Sequence, residues 1–168
     1  MPPIRALTAA AVVLTGALAG CGGEDPKSDD LGGAWTATLA VTTAWSEIAP
    51  RATGTADVSS TGSTSVRLAV TGLAPGTEYM SHVHDGGCDE DPPGGGHWLA
   101  DPDGEDAAGN IIELSFTTSD TGVGSATVSS DLILDERARS VVVHAPEALT
   151  SSEGADADRV LCGNLDAD

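Results

Sequence analysis

The chain contains four histidines, all in three short segments: Ser81-His82-Val83-His84-Asp85-Gly86-Gly87-Cys88, Gly95-Gly96-His97, and His144 far downstream. His82 and His84 stand at i and i+2. On a β-strand that spacing points both imidazoles to one face, roughly 7 Å apart along the chain. Two imidazoles so placed form a metal chelate, and His97 and His144 are the remaining histidines that could join it. A lone histidine is more often structural than a ligand, and His144 at the end of a valine-rich run would by itself be ambiguous. The joint pattern of all four favours a metal centre.

Positioning these side chains falls to β-structure. The 168 residues suffice for one domain and are rich in Thr, Ser, Val, Ala and Gly, with a single Phe and a single Tyr. Trp35 to Val41 alternates as a half-buried strand does, Thr64 to Val70 does so again, and Thr53 to Val58 is a further strand between them. Gly72-Leu73-Ala74-Pro75-Gly76 has the chemistry of a turn, and Tyr79 to His84 leaves it as the next strand. Ile111 to Thr117 and Gly124 to Leu134 read as strands joined by a hairpin turn at Ser119-Asp120-Thr121-Gly122. Ser140 to His144 is another, and Asn164-Leu165 closes the last. Seven or eight short strands predict an all-β sandwich or flattened barrel without a helix after the leader.

Between the histidine strand and Ile111 runs a long loop, Cys88 to Asn110, of Asp, Glu, Pro and Gly broken mainly by His97-Trp98-Leu99. A loop of that length in a compact domain is functional or disordered, and the histidine it carries points to function. Trp98 is expected to be a hydrophobic plug that roots it. The formal net charge of -19 excludes a nucleic-acid partner, which would need a basic surface, and fits solubility outside a cell.

At the N-terminus Arg5 precedes an apolar run from Ala6 to Leu18, too short to span a bilayer as a stable helix. Leu18-Ala19-Gly20-Cys21 follows and resembles the lipobox of bacterial lipoproteins. That resemblance implies a signal peptide over residues 1–20, lipidation of Cys21, and membrane attachment. Residues 21–33, mostly Gly, Asp, Glu, Lys, Ser and Pro, read as the lipidated start and a flexible tether. The folded domain then covers residues 34–168.

Three cysteines leave an odd thiol in an exported protein. With Cys21 lipidated, Cys88 and Cys162 remain as a pair that an oxidising compartment would join. The alternative makes Cys88 a soft metal ligand beside His84.

Taken in order, Gly72-Leu73-Ala74-Pro75-Gly76, His82-Val83-His84, Cys88, Gly95-Gly96-His97, Val143-His144 and Arg159-Val160-Leu161-Cys162-Gly163 resemble the copper/zinc superoxide dismutase family over Ala34 to Leu165. The resemblance implies a Greek-key β-sandwich or flattened barrel of about eight antiparallel strands. It implies that His82, His84 and His144 are permanent copper ligands, that His97 is the bridging histidine, and that Cys88 and Cys162 form the disulfide. Arg159 matches the arginine that attracts and orients superoxide. The implied reaction oxidises one superoxide to dioxygen and reduces the next to hydrogen peroxide, His97 carrying one of the protons.

The family's zinc needs two further histidines, and none is left. Only the carboxylates Asp101, Asp103, Glu105 and Asp106 lie between His97 and Asn110, so copper is the expected metal and zinc is not. The chain thus resembles the copper-only members of the family. The far nitrogen of His97 then needs a partner, for which Glu113 and Glu147 are the candidates. Residues Pro146 to Asp158 read as a short acidic loop, leaving Arg159 the lone cation near the site and the anionic substrate poorly steered. The ordinary alternative for Arg159 is a surface ion pair with Asp158 or Asp156. The expected function is copper-dependent superoxide dismutation at the extracytoplasmic membrane surface. The alternative is a copper-sequestering protein of the same fold.

Overall fold

Strict alternation of small or apolar residues with polar ones builds the sheet. In β2 (Thr53–Ser60) and β3 (Thr64–Thr71) every second side chain is buried, so each strand gives one face to the interior and one to water. The computed structural model describes residues 33–153 and 157–167. The signal-peptide, Cys21 and tether readings fall on residues outside these, apart from Gly33. β1 (Gly33–Val41) begins there, one residue before the expected domain start.

The remaining strands are β4 (Glu78–His84), β5 (Glu113–Thr117), β6 (Gly124–Ser130), β7 (Ser140–His144), β8 (Arg159–Asn164) and a two-residue β9 (Asp166–Ala167). They pair antiparallel in the order β5-β4-β7-β8-β1-β2-β3-β6, and β9 adds to β1. The end strands β5 and β6 are consecutive in the chain, joined by a tight turn in which Gly122 N–H donates to Ser119 at 2.9 Å. Their proximity nearly closes the sheet into a barrel, and the β3–β4 and β6–β7 connections each skip two strands, as Greek keys do.

Inside lie Leu39, Val66, Leu68, Val83, Leu134, Val141, Val143 and Leu161, each fully buried. Burying one such side chain contributes about 1.5–3 kcal/mol, so the interior rather than any single ladder holds the barrel together. The three valines of β7 are buried on both sides because the strand sits mid-sheet, with the loop after β4 covering its outer face.

Two local expectations are corrected. β6 ends at Ser130 rather than Leu134: Leu132 N–H donates to Ser130 Oγ and Leu134 N–H to Ser60 Oγ, so hydroxyls take donors a ladder would use. The acidic stretch after His144 contains a helix, α1 (Glu147–Glu153), and a 3₁₀ turn lies at Thr43–Trp45. Pro146 presets the first helical turn, its carbonyl accepting from Leu149 and Thr150, and Leu149 packs on the core.

Cys88 and Cys162 are disulfide-bonded, with Cα atoms 5.6 Å apart, and so clamp the start of the long loop to β8. The free-ligand alternative for Cys88 is thereby removed. Closing a loop across a separation of 74 residues should contribute about 4 kcal/mol in the chain-entropy model. Replacing both cysteines with alanine is expected to lower the free energy of denaturant unfolding by about that amount. No change in the unfolding midpoint would show that the loop is held by other contacts.

Candidate metal centre

β4 carries the first two histidines on the face opposite the core. Tyr79, Ser81 and Val83 point inward and are buried, leaving His82 and His84 on the outer face. β7 lies beside it, and an irregularity of its pairing with β8 between Val143 and His144 sets His144 across from Arg159. His144 swings over the sheet to bring its Nε2 within 3.2 Å of His84 Nε2.

The fourth histidine arrives on the long loop, which folds back over β4. Asp85 N–H donates to Gly96, Gly86 to Gly94 and Trp98 to Val83, and His84 and His97 form a β-bridge. Gly94 makes the close return possible: its φ is +90°, and a Cβ there would lie 2.5 Å from Val142. Trp98 is buried and donates through Nε1 to Asp135 at 2.9 Å, so the expected plug is polar-anchored as well as apolar. The result places the His97 ring 4.3 Å from that of His82 and 4.8 Å from that of His84. Across the set, one nitrogen from each of His82, His84, His97 and His144 lies within 4.8 Å of all the others.

The outer nitrogens decide what the inner ones can do. His144 Nδ1 donates to Asp158 at 2.9 Å, His97 Nδ1 to Asp106 at 2.8 Å, and His82 Nε2 to Glu113 at 3.2 Å. Each carboxylate fixes a tautomer, leaving Nε2 of His144, Nε2 of His97 and Nδ1 of His82 as lone pairs. His82 Nδ1 is buried with no partner among the described residues. His84 Nδ1, beneath Gly94, also has none.

Protonation would relieve the crowding of inward lone pairs, but the site resists it. Burial, reinforced by repulsion from His144, pushes His84 down to about 2, and burial pushes His144 down to about 4 despite the help of Asp158. His82 is lowered by burial as well, and Arg159 adds its positive charge against His84 and His144. Buried, neutral and convergent imidazoles make a donor set for a metal cation, and nitrogen ligands of this kind suit copper or zinc.

Arg159 makes no ion pair with Asp158, whose carboxylate is on His144. Its guanidinium donates to the Pro93 carbonyl of the long loop. It borders a cleft of about 710 Å³ that Cys88, Glu90, Pro93 and Ala157 also line. Of the two candidates for the far nitrogen of His97, neither is its partner. Glu113 lies directly across from His82 on β5 and bonds that ring instead, Glu147 opens α1, and Asp106 takes the place. Asp101 and Glu105 hold the loop in shape through Asn110, which donates to both their carbonyls. Asp158 was legible only in part: β8 antiparallel to β7 puts the residue before Arg159 near His144, but the choice between ring and guanidinium needs the side-chain geometry.

Fold and site together define a class, an all-β barrel protein with a disulfide and a four-imidazole cluster, three of its rings buried, that could bind a metal ion. No protein-family model matches the sequence. No curated protein matches it either. Among solved structures, the crystal structure of the clock protein EA4 is similar, with a TM-score of 0.54 over 82% of this chain and 96% of that one, at 20% identity. At that identity the likeness carries the fold alone.

The neutral histidines make the metal-free protein acid-sensitive. An unfolded histidine titrates near 6.5. His84 and His144 titrate lower when folded, so the unfolded state binds more protons and stability falls as the pH drops below that value. Each contributes a slope of up to about 1.4 kcal/mol per pH unit, His144 down to about 4 and His84 further. Denaturant unfolding of metal-free protein at pH 7 and pH 5 should show this loss, and equal stability at both would contradict the buried neutral assignment.

Proposed function

We propose that the chain is a copper-dependent superoxide dismutase, held through lipidated Cys21 at the extracytoplasmic face of a bacterial membrane. Its substrate is superoxide and its products are dioxygen and hydrogen peroxide. The observation that carries this reading is the four convergent imidazoles with Arg159 beside them. His82, His84, His97 and His144 would hold the copper, which when bound supplies the two accessible oxidation states that a one-electron oxidation and a one-electron reduction require.

The chain's own residues account for the rest. Arg159 uses one guanidinium nitrogen on Pro93, keeping further donors for a small anion. His97 is the most exposed of the four, its side chain 23% accessible against 10% for His82 and 11% for His144. With Asp106 holding its Nδ1 proton, its Nε2 is the nitrogen that can accept and release another. That same bond favours a copper-only centre: the second nitrogen of His97, which a zinc ion would need, is engaged by a carboxylate. The acidic surroundings, including Asp85 and Glu90 near the loop base, disfavour fast approach of an anion.

Those surroundings also favour the second reading, a copper-sequestering protein of the same fold. The Arg159→Ala variant separates the two. A dismutase should keep its copper and lose about ten- to a hundredfold in the rate with superoxide, the size of a lost electrostatic guide. A copper-loaded parent protein without activity above free-solution decay would overturn the enzyme reading.

A further inference from the structure

We infer that Met80 is an oxidation site built into the metal centre, its thioether taking an oxygen atom from hydrogen peroxide before the histidines are damaged. This rests on the dismutase reading, since peroxide is the product of that reaction. Met80 is the one methionine besides Met1. It precedes His82 by two residues on β4, so Met80, His82 and His84 share the outer face while Tyr79, Ser81 and Val83 fill the inner one.

The register makes the placement closer. Met80 pairs directly with His144 across β4 and β7, and with Ser115 across β4 and β5. Directly opposed residues hold their Cβ atoms about 5 Å apart, well within reach of an unbranched side chain. Met80 is half-buried and belongs neither to the core cluster nor to the apolar residues packed against it. Packing the interior therefore does not account for a long side chain here. Its distinguishing chemistry is the sulfur, carried at the strand position opposite His144 and two before His82.

In the step, the thioether sulfur attacks one peroxide oxygen. An S–O bond forms as the O–O bond breaks, and the proton on the transferred oxygen passes to the departing one, which leaves as water. Sulfur is oxidised by two electrons to the sulfoxide and peroxide is reduced by two. No further oxidant is needed. The imidazoles do not compete by this route, because a ring nitrogen is a far weaker nucleophile toward a peroxide oxygen than a thioether sulfur is. A sulfoxide at a half-exposed position also buries no new polar group in the core.

The test adds reagent hydrogen peroxide to the copper-loaded protein and follows each peptide by mass spectrometry, with metal-free protein in parallel. The inference predicts that Met80 gains one oxygen before any histidine does. It also predicts that in Met80→Leu, of similar volume, histidine oxidation and copper loss begin without a lag and run several-fold faster. Histidine oxidation ahead of Met80 in the parent, or equal histidine damage in parent and variant, would overturn it. Reagent peroxide reaches the site whether or not the protein dismutes superoxide. Failure here therefore counts against Met80 alone, and a separate superoxide assay judges the enzyme reading.

Discussion

The constraint on which the structure depends is that four imidazoles, three of them buried, must stay turned nitrogen-inward within 4.8 Å of one another. Left alone, such a group would rotate outward to water or take up protons. Burial blocks protonation, holding His84 at about 2 and His144 at about 4. Rotation is blocked by a carboxylate behind His82, His97 and His144 in turn. His84 has no such partner and is held by position, fully buried between β7 and the returning loop. The three carboxylates come from β5, the long loop and the segment before β8, so the cluster is fastened from three directions.

Each distant feature then has a defined connection to the rings. The pairing of β4 with β7 brings His82 and His84 beside His144. The disulfide, the buried Trp98 and the Arg159–Pro93 hydrogen bond fix the loop that delivers His97. Trp45, buried by the 3₁₀ turn, donates to the Ala157 carbonyl at 2.7 Å next to Asp158, so the barrel end also supports the carboxylate behind His144. A change at any of these points should reach the site through a short chain of contacts.

Much of the fold was legible because period-two alternation is a direct record of which face is buried, as in β2 and β3. The histidine cluster was legible too, since an i, i+2 pair on a strand admits few other uses and the chain holds only two more histidines. What escaped were features set by tertiary competition. Ser60 and Ser130 draw backbone donors away from the end of β6, and a proline followed by a few weakly apolar residues suffices for α1 once Leu149 has a core to meet. Carboxylate partners were hardest: acidic side chains are abundant here, and only three-dimensional register separates Glu113 on His82 from Asp106 on His97.

The proposed copper-only centre would hold one ion, because the outward nitrogen of His97 is held by Asp106 and the chain has no histidine beyond the four of the cluster. The decisive measurement offers the protein copper and zinc together and determines the metal content of the washed product. One copper and no zinc per chain is expected, with copper uptake lost when His82 and His84 are both replaced by alanine. Stoichiometric zinc beside the copper, or copper uptake that survives those replacements, would contradict it.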